Sequence, residues 1–248
     1  MEPIPPDVPV NVLKLCREES CNRCELHEYA QSVCIPTVFE ESLPLPQIYD
    51  YWCEEESLDA VPVVIFIGQN PGVQEDETCK PFVGRSGQIV KTAYIDGINL
   101  RKRASIYLTN GVRCHTQANE APKPRHYREC ATFLSRDLHA IFRSYGPHAT
   151  RIVITLGAPA TSSFYKYILE GHKVSLSESF NLNGRQYELG PYPFSLFSTY
   201  HPAAVLRNNN LINTVQSHMQ LVSDCLDGTM ATPSEPTIVP TRSPRSPK

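Results

Sequence analysis

No apolar run in this 248-residue chain approaches the ~20 residues that a membrane-spanning helix needs, so a transmembrane segment is not expected. The opening, MEPIPPDVPVNV, lacks a basic stretch followed by an apolar one, so a secretory leader is not expected either. The reading is an intracellular protein, cytoplasmic or associated with nucleoid or nucleus, and not secreted. No internal repeat is visible, and no long apolar stripe marks a self-association face, so a monomer is expected. What is present suffices for a core: 41% of residues are hydrophobic, which argues against wholesale disorder. The 22 prolines exceed the ~5% usual in proteins, so loops and tails take a large share.

The net charge of −3 conceals an asymmetry. Residues 1–60 hold 13 Asp and Glu against 3 Lys and Arg, and the remainder holds 13 against 20. An acidic front of −10 and a basic body of +7 suit a polyanionic partner without requiring one. Nine cysteines are an odd number, so they cannot all pair within the chain. At this length and without a leader, metal binding or plain burial is expected before a disulfide scaffold.

Four β-rich runs follow the irregular acidic front: Val61–Gly68, Ser105–Asn110, Arg151–Gly157 and Pro193–His201. The first and third are nearly continuous apolar runs, as strands buried on both faces are. Helical patterns fill the intervals over Gly87–Ile98, Pro124–Tyr145, Ala160–Leu169 and Asn209–Leu226. Alternation of strand and helix predicts an α/β fold, a three-layer α/β/α sandwich around a mainly parallel four-stranded sheet. Asn183-Gly184, between polar/apolar alternations, predicts a hairpin. The expected organisation is an extension over residues 1–15, one domain over 16–228, and a disordered Pro- and Ser-rich tail over 229–248.

Three features carry chemistry. Gly68-Gln69-Asn70-Pro71-Gly72 follows the first strand, with Glu75-Asp76 and then PFVGRSG close behind. Ligands of open α/β sheets sit beyond the carboxyl ends of strands, where glycines admit a close approach to backbone. Thr199-Tyr200-His201-Pro202 closes another strand of the same sheet, so both loops would face one crevice. Cys21 and Cys24 form a C-x2-C pair, and Cys114 and Cys130 flank a proline-containing loop. Four thiolates hold either a [4Fe–4S] cluster or a tetrahedral zinc, and zinc sites more often show two tight pairs. Cys16 and Cys34 stand close enough in sequence to compete as ligands, whereas Cys53 and Cys225 are read as bystanders.

Taken in order, these elements resemble the iron–sulfur, family 4 branch of the uracil-DNA glycosylase superfamily. CNRCEL, GQNPGVQED with PFVGRSG, YLTNGVRC, PKPRHYREC, VITLGAPAT and TYHPAAVLRN each match one of that family's motifs, and together they span Cys21 to Leu226. The resemblance implies hydrolysis of the N-glycosidic bond of uracil in single- or double-stranded DNA, leaving an abasic site, after the nucleotide is flipped from the stack. It implies a structural [4Fe–4S] cluster on Cys21, Cys24, Cys114 and Cys130, with zinc as the alternative. Phe82 would stack on uracil and Asn110 would read its O4 and N3–H. His201 would donate to O2, Gly68 and Gln69 would help hold the base, and Leu206 and Arg207 would enter the duplex and meet phosphate.

Departures from the family pattern matter too. Gln69 stands where Glu is usual and Asn70 where a small residue is usual, so Asn70 is assigned to orient the attacking water. Gly72 stands where the most uracil-selective branch has a tyrosine, which leaves thymine rejection open. Cys79 replaces a usual loop glycine. Arg101, Lys102 and Arg103 are read as a phosphate contact or a solvated face. Lys123, Arg125 and Arg128 are read as a backbone contact, and His115 and His126 as surface residues. Two other functions compete: a non-catalytic DNA-binding accessory module on the same fold, and a glycosylase of altered base preference.

Overall fold

In a computed structural model, the described residues are 17–40, 61–172 and 174–230. The extension expected over 1–15, Cys16, Cys53 and nearly all of the tail expected over 229–248 lie outside them.

Six strands form one sheet: β1 (Val38–Phe39), β2 (Val63–Gly68), β3 (Ser105–Asn110), β4 (Arg151–Leu156), β5 (Arg185–Leu189) and β6 (Tyr192–Thr199). Their order is β1-β3-β2-β4-β6-β5. The four expected strands are the parallel centre, β3-β2-β4-β6. The expected count of four is corrected by two antiparallel edges, β1 on β3 and β5 on β6. Both edges are weak in sequence for a physical reason. β1 has two residues, and β5 alternates between buried and partly exposed positions where β2, β3 and β4 are buried throughout. The hairpin also turns elsewhere than predicted. Leu189 pairs with Tyr192 across Gly190-Pro191, and Asn183-Gly184 precedes the hairpin, its Asn183 side chain bonding Ser198 backbone.

Helices cover both faces: α1 (Val73–Thr78), α2 (Arg85–Ile89), α3 (Pro124–Ser144), α4 (Gly157–Tyr167), α5 (Leu176–Phe180), α6 (Pro202–Arg207) and α7 (Leu211–Leu226). The predicted helix over 87–98 is three pieces: α2, a π-helical stretch Val90–Ile95 and a 3-10 turn Asp96–Ile98. α3 starts with Pro124 at its first turn, where the missing N–H is no loss. Its Phe133, Leu134, Leu138, Ile141 and Phe142 recur at helical spacing and pack on Val63, Ile65 and Ile67 of β2. The alternate β2 residues, Val64 and Phe66, point the other way, toward Val90, Tyr94 and the α7 residues Val215, Met219 and Val222. Two cores on one sheet make the sandwich. Parallel strands bring the carboxyl ends of β2, β3, β4 and β6 to one edge, and the loops from that edge form the site.

Cys79, the residue at a position where a glycine was expected, caps α1 with φ 55°. A side chain pays a steric cost in that left-handed region which glycine avoids. Cys79→Gly should therefore stabilise the fold by about 1 kcal/mol in urea unfolding; a destabilised variant would show that the thiol has a packing role.

Candidate functional site

β2 and β3 run in register so that Gly68 pairs with Asn110, and the pairing continues outward through Gly111 N–H to Gly68 O (2.9 Å) and Val112 N–H to Gln69 O (3.0 Å). A Cβ placed on Gly68 would collide with Asn110 Oδ1 and stand 2.7 Å from Phe82 Cζ. The carboxamide of Asn110 and the ring of Phe82 thus converge on the one backbone that carries no side chain. Asn110 is 6% exposed, and its carboxamide makes no hydrogen bond to another described residue. Phe82 holds φ 58°, an outlier for an aromatic residue of the sort found at functional sites. The chain can fold this way because Gly87 lies against the Phe82 backbone, where any side chain would overlap the carbonyl.

Glu75 secures the loop on either side of this pocket. One carboxylate oxygen accepts the Gly72 N–H (3.1 Å) and the other accepts the Gly84 N–H (2.7 Å). Gly72 and Gly84 are the residues preceding α1 and α2, so a single anion sits at two helix starts. Gly72 brings no aromatic wall to the loop, and a Cβ there would crowd Glu75 Oε2 at 2.8 Å. Asn70 Nδ2 donates to Pro71 O (3.0 Å) and Thr116 Oγ1 (3.5 Å), which leaves Oδ1 without a donor among the described residues. Gln69 is half-buried beside it.

His201 enters from the end of β6 and caps α6. Its Nδ1 accepts the Ala203 N–H at 3.1 Å, so the neutral ring carries its proton on Nε2. Burial, with Arg207 nearby, lowers its pKa to about 4, which keeps the ring neutral at physiological pH. Gly157, at φ +82° where β4 becomes α4, makes room: a Cβ there would lie 2.8 Å from His201 Cβ. Leu206 and Arg207 end α6 on the surface, and Leu206 is one of three exposed large hydrophobics among the described residues.

The cysteines gather behind the pocket. Cys21, Cys24, Cys34, Cys114 and Cys130 line one chamber with Arg23, Arg113 and Phe133. Burial pushes the Cys114 and Cys130 thiols up to about 12. Arg113 is 2% exposed and ion-paired with the equally buried Asp137 at 2.8 Å, but its Nε–H has no partner among the described residues. No group of three or more His, Cys, Asp or Glu among the described residues converges as ligands of a single ion. Cys225 lies on α7 instead, against Ser195.

The segment carrying Cys21, Cys24 and Cys34 is fastened at both ends. Asp76, beside Glu75 on α1 and 7% exposed, accepts the N–H groups of Gln31 and Ser32, both at 2.9 Å. Glu25 gathers Arg125, Lys123 (3.8 Å) and His126 (3.1 Å). One surface reading is corrected here, that of His126, and two others gain partners. His126 is 2% exposed, and Lys123 and Arg125 bind Glu25 of the cysteine segment. His115 is half-buried with Nδ1 donating to Pro71 O at 3.0 Å. The 101–103 run precedes β3 at the opposite edge of the sheet. Arg101 pairs with Glu40 and Asp96, and Arg103 with Asp227. Sequence reasoning placed Glu75 and Asp76 near the site without giving them a task. Thr116, Gly157 and Asp137 passed unnoticed, since each acts only through a partner distant in sequence.

The family model of the Uracil DNA glycosylase superfamily matches residues 57–222. The chain belongs to that superfamily. Among its relatives, the Type-4 uracil-DNA glycosylase of Saccharolobus solfataricus is 31% identical over 165 residues, covering 66% of this chain and 71% of the relative. That of Thermotoga maritima is 32% identical over 148 residues, or 59% and 68%. That of Archaeoglobus fulgidus is 26% identical over 208 residues, or 83% and 87%. The match to the superfamily spans all four central strands and every loop at their carboxyl edge. No helix of the described residues is long and apolar enough to cross a membrane.

The depressed His201 pKa has a definite sign. Between pH 6.5 and about 4 the unfolded chain takes up a proton that folded His201 refuses, so stability falls with acid across that window. An NMR titration should place the His201 midpoint near pH 4; a midpoint at the ordinary value would contradict the burial argument.

Proposed function

We propose that this protein excises uracil from DNA, hydrolysing the bond between N1 of the base and C1′ of deoxyribose. The observation that carries the reading is the convergence of Phe82 and the Asn110 carboxamide on Gly68, with a neutral histidine on the same sheet edge. A flipped uracil stacks on Phe82 and offers O4 and N3–H to the amide and carbonyl of Asn110. Cytosine presents the opposite pattern and leaves the buried amide mismatched.

The chemistry follows from what each side chain has free. Asn70 Oδ1 orients a water toward C1′. As the C1′–N1 bond breaks, its electrons leave with the base and charge grows at O2, where His201 Nε2–H donates. The water oxygen bonds C1′ and its proton passes to solvent. A histidine held neutral suits this task, because it supplies a hydrogen bond to developing charge in a site away from water. An amide is no base, but an oxocarbenium-like transition state asks little activation of the nucleophile. Leu206 is the exposed wedge that fills the space the base leaves, and Arg207 beside it meets phosphate.

Cys21, Cys24, Cys114 and Cys130 would hold a [4Fe–4S] cluster, which when bound supplies structural order to the loops around DNA. The residues fit that group. The four cysteines line one chamber, and a set of cysteine thiolates is the donor set that a [4Fe–4S] cluster takes, with a four-thiolate zinc as the alternative. The unsatisfied Nε–H of Arg113 suits the anionic sulfur cage.

A single-turnover assay on uracil-containing single- and double-stranded DNA tests the reading. Wild type should give abasic product, and His201→Ala and Asn70→Ala should each slow it by about 10²–10³-fold. DNA binding with no abasic product would overturn the reading in favour of an accessory module.

A further inference from the structure

The chamber has one more thiol than a four-cornered cluster uses. Cys34 is 1% exposed and lines the same wall as the four cysteines assigned above. Its backbone holds φ 52°, and from that conformation its N–H donates to Cys114 Sγ at 3.3 Å. The neighbouring Ile35 N–H is fixed to Arg113 O at 2.8 Å, so this stretch of the segment is pinned directly alongside the strand exit that carries Cys114. Arg17 Nε to Val33 O (2.8 Å) holds it from the other side.

We infer that Cys34 is a reserve ligand of the cluster chamber, able to take the corner held by Cys114. In the loaded protein its N–H···S bond supports Cys114. Where the Cys114 sulfur is absent or has been released and protonated, the Cys34 thiol, on the segment that Asp76 already clasps, would pass its proton to solvent and serve as the fourth thiolate. The exchange is one thiolate for another, so no oxidant or reductant enters. The inference rests on the cluster reading above.

Iron and sulfide content after anaerobic reconstitution, with the visible charge-transfer absorbance, tests both separately. Wild type, Cys34→Ala and Cys114→Ala should each load, while the double variant Cys34→Ala/Cys114→Ala should stay empty. An empty Cys114→Ala beside a loaded wild type would overturn the inference. An empty wild type would instead overturn the cluster reading beneath it. Should Cys114→Ala fail to fold by circular dichroism, iron release to a chelator decides. Cys34→Ala keeps the backbone N–H on Cys114 Sγ and removes only the thiol; it should release iron about tenfold faster than wild type, because a released corner has no second thiolate to recapture it, and equal rates would overturn the inference.

Discussion

Two adjacent carboxylates on a six-residue helix hold this molecule's working parts together. Glu75 takes the backbone of Gly72 and Gly84, the two ends of the pocket loop, and Asp76 takes the backbone of Gln31 and Ser32 on the cysteine segment. Each bond is from a neutral N–H to a carboxylate, stronger than a bond between neutral partners. Asp76 is buried, so loss of its two donors would strand an anion away from water. The helix that leaves the β2 loop therefore sets the pocket and anchors the cysteine arm at once. A disturbance of the cysteine chamber has a short path to Phe82 and Asn70: through Asp76 to α1, and from α1 to both loops.

The electrostatics are divided along the same line. Several basic residues of the body bind within the molecule: Arg113 to Asp137, Arg151 to carbonyls at the amino edge of β4, and Lys123 and Arg125 to Glu25. The acidic front and basic body are thus partly joined within the molecule. At the pocket the groups are neutral: an amide at Asn110, an amide at Asn70 and an imidazole at His201. A leaving uracil brings its own negative charge there, and a neutral donor stabilises that charge without holding the uncharged base too tightly beforehand.

The central four strands were legible in the sequence because each is buried on both faces and reads as an apolar run. The edge strands were not, because a two-residue strand and a half-exposed one carry little pattern. Gly68, Phe82, Asn110 and His201 stood out through their motifs, and the structure gathers Gly68, Phe82 and Asn110 at one point. The tasks of Glu75 and Asp76 were hidden for a different reason. A carboxylate bound to backbone amides leaves no mark on its partners, since any residue supplies an N–H. The partner of Lys123 and Arg125 was hidden likewise: Glu25, a hundred residues away, pairs with both while they stay half or more exposed. Cys79 ran the other way: an unexplained residue became a strained helix cap once its φ was known.

Native-state amide hydrogen exchange on wild type and Asp76→Ala, followed residue by residue, tests the coupling most directly. The account predicts loss of protection at Gln31 and Ser32 together with faster exchange at Gly72 and Gly84, because α1 carries both carboxylates. Faster exchange confined to residues 31 and 32, with Gly72 and Gly84 unchanged, would contradict it and leave the cysteine segment and the pocket as independent units.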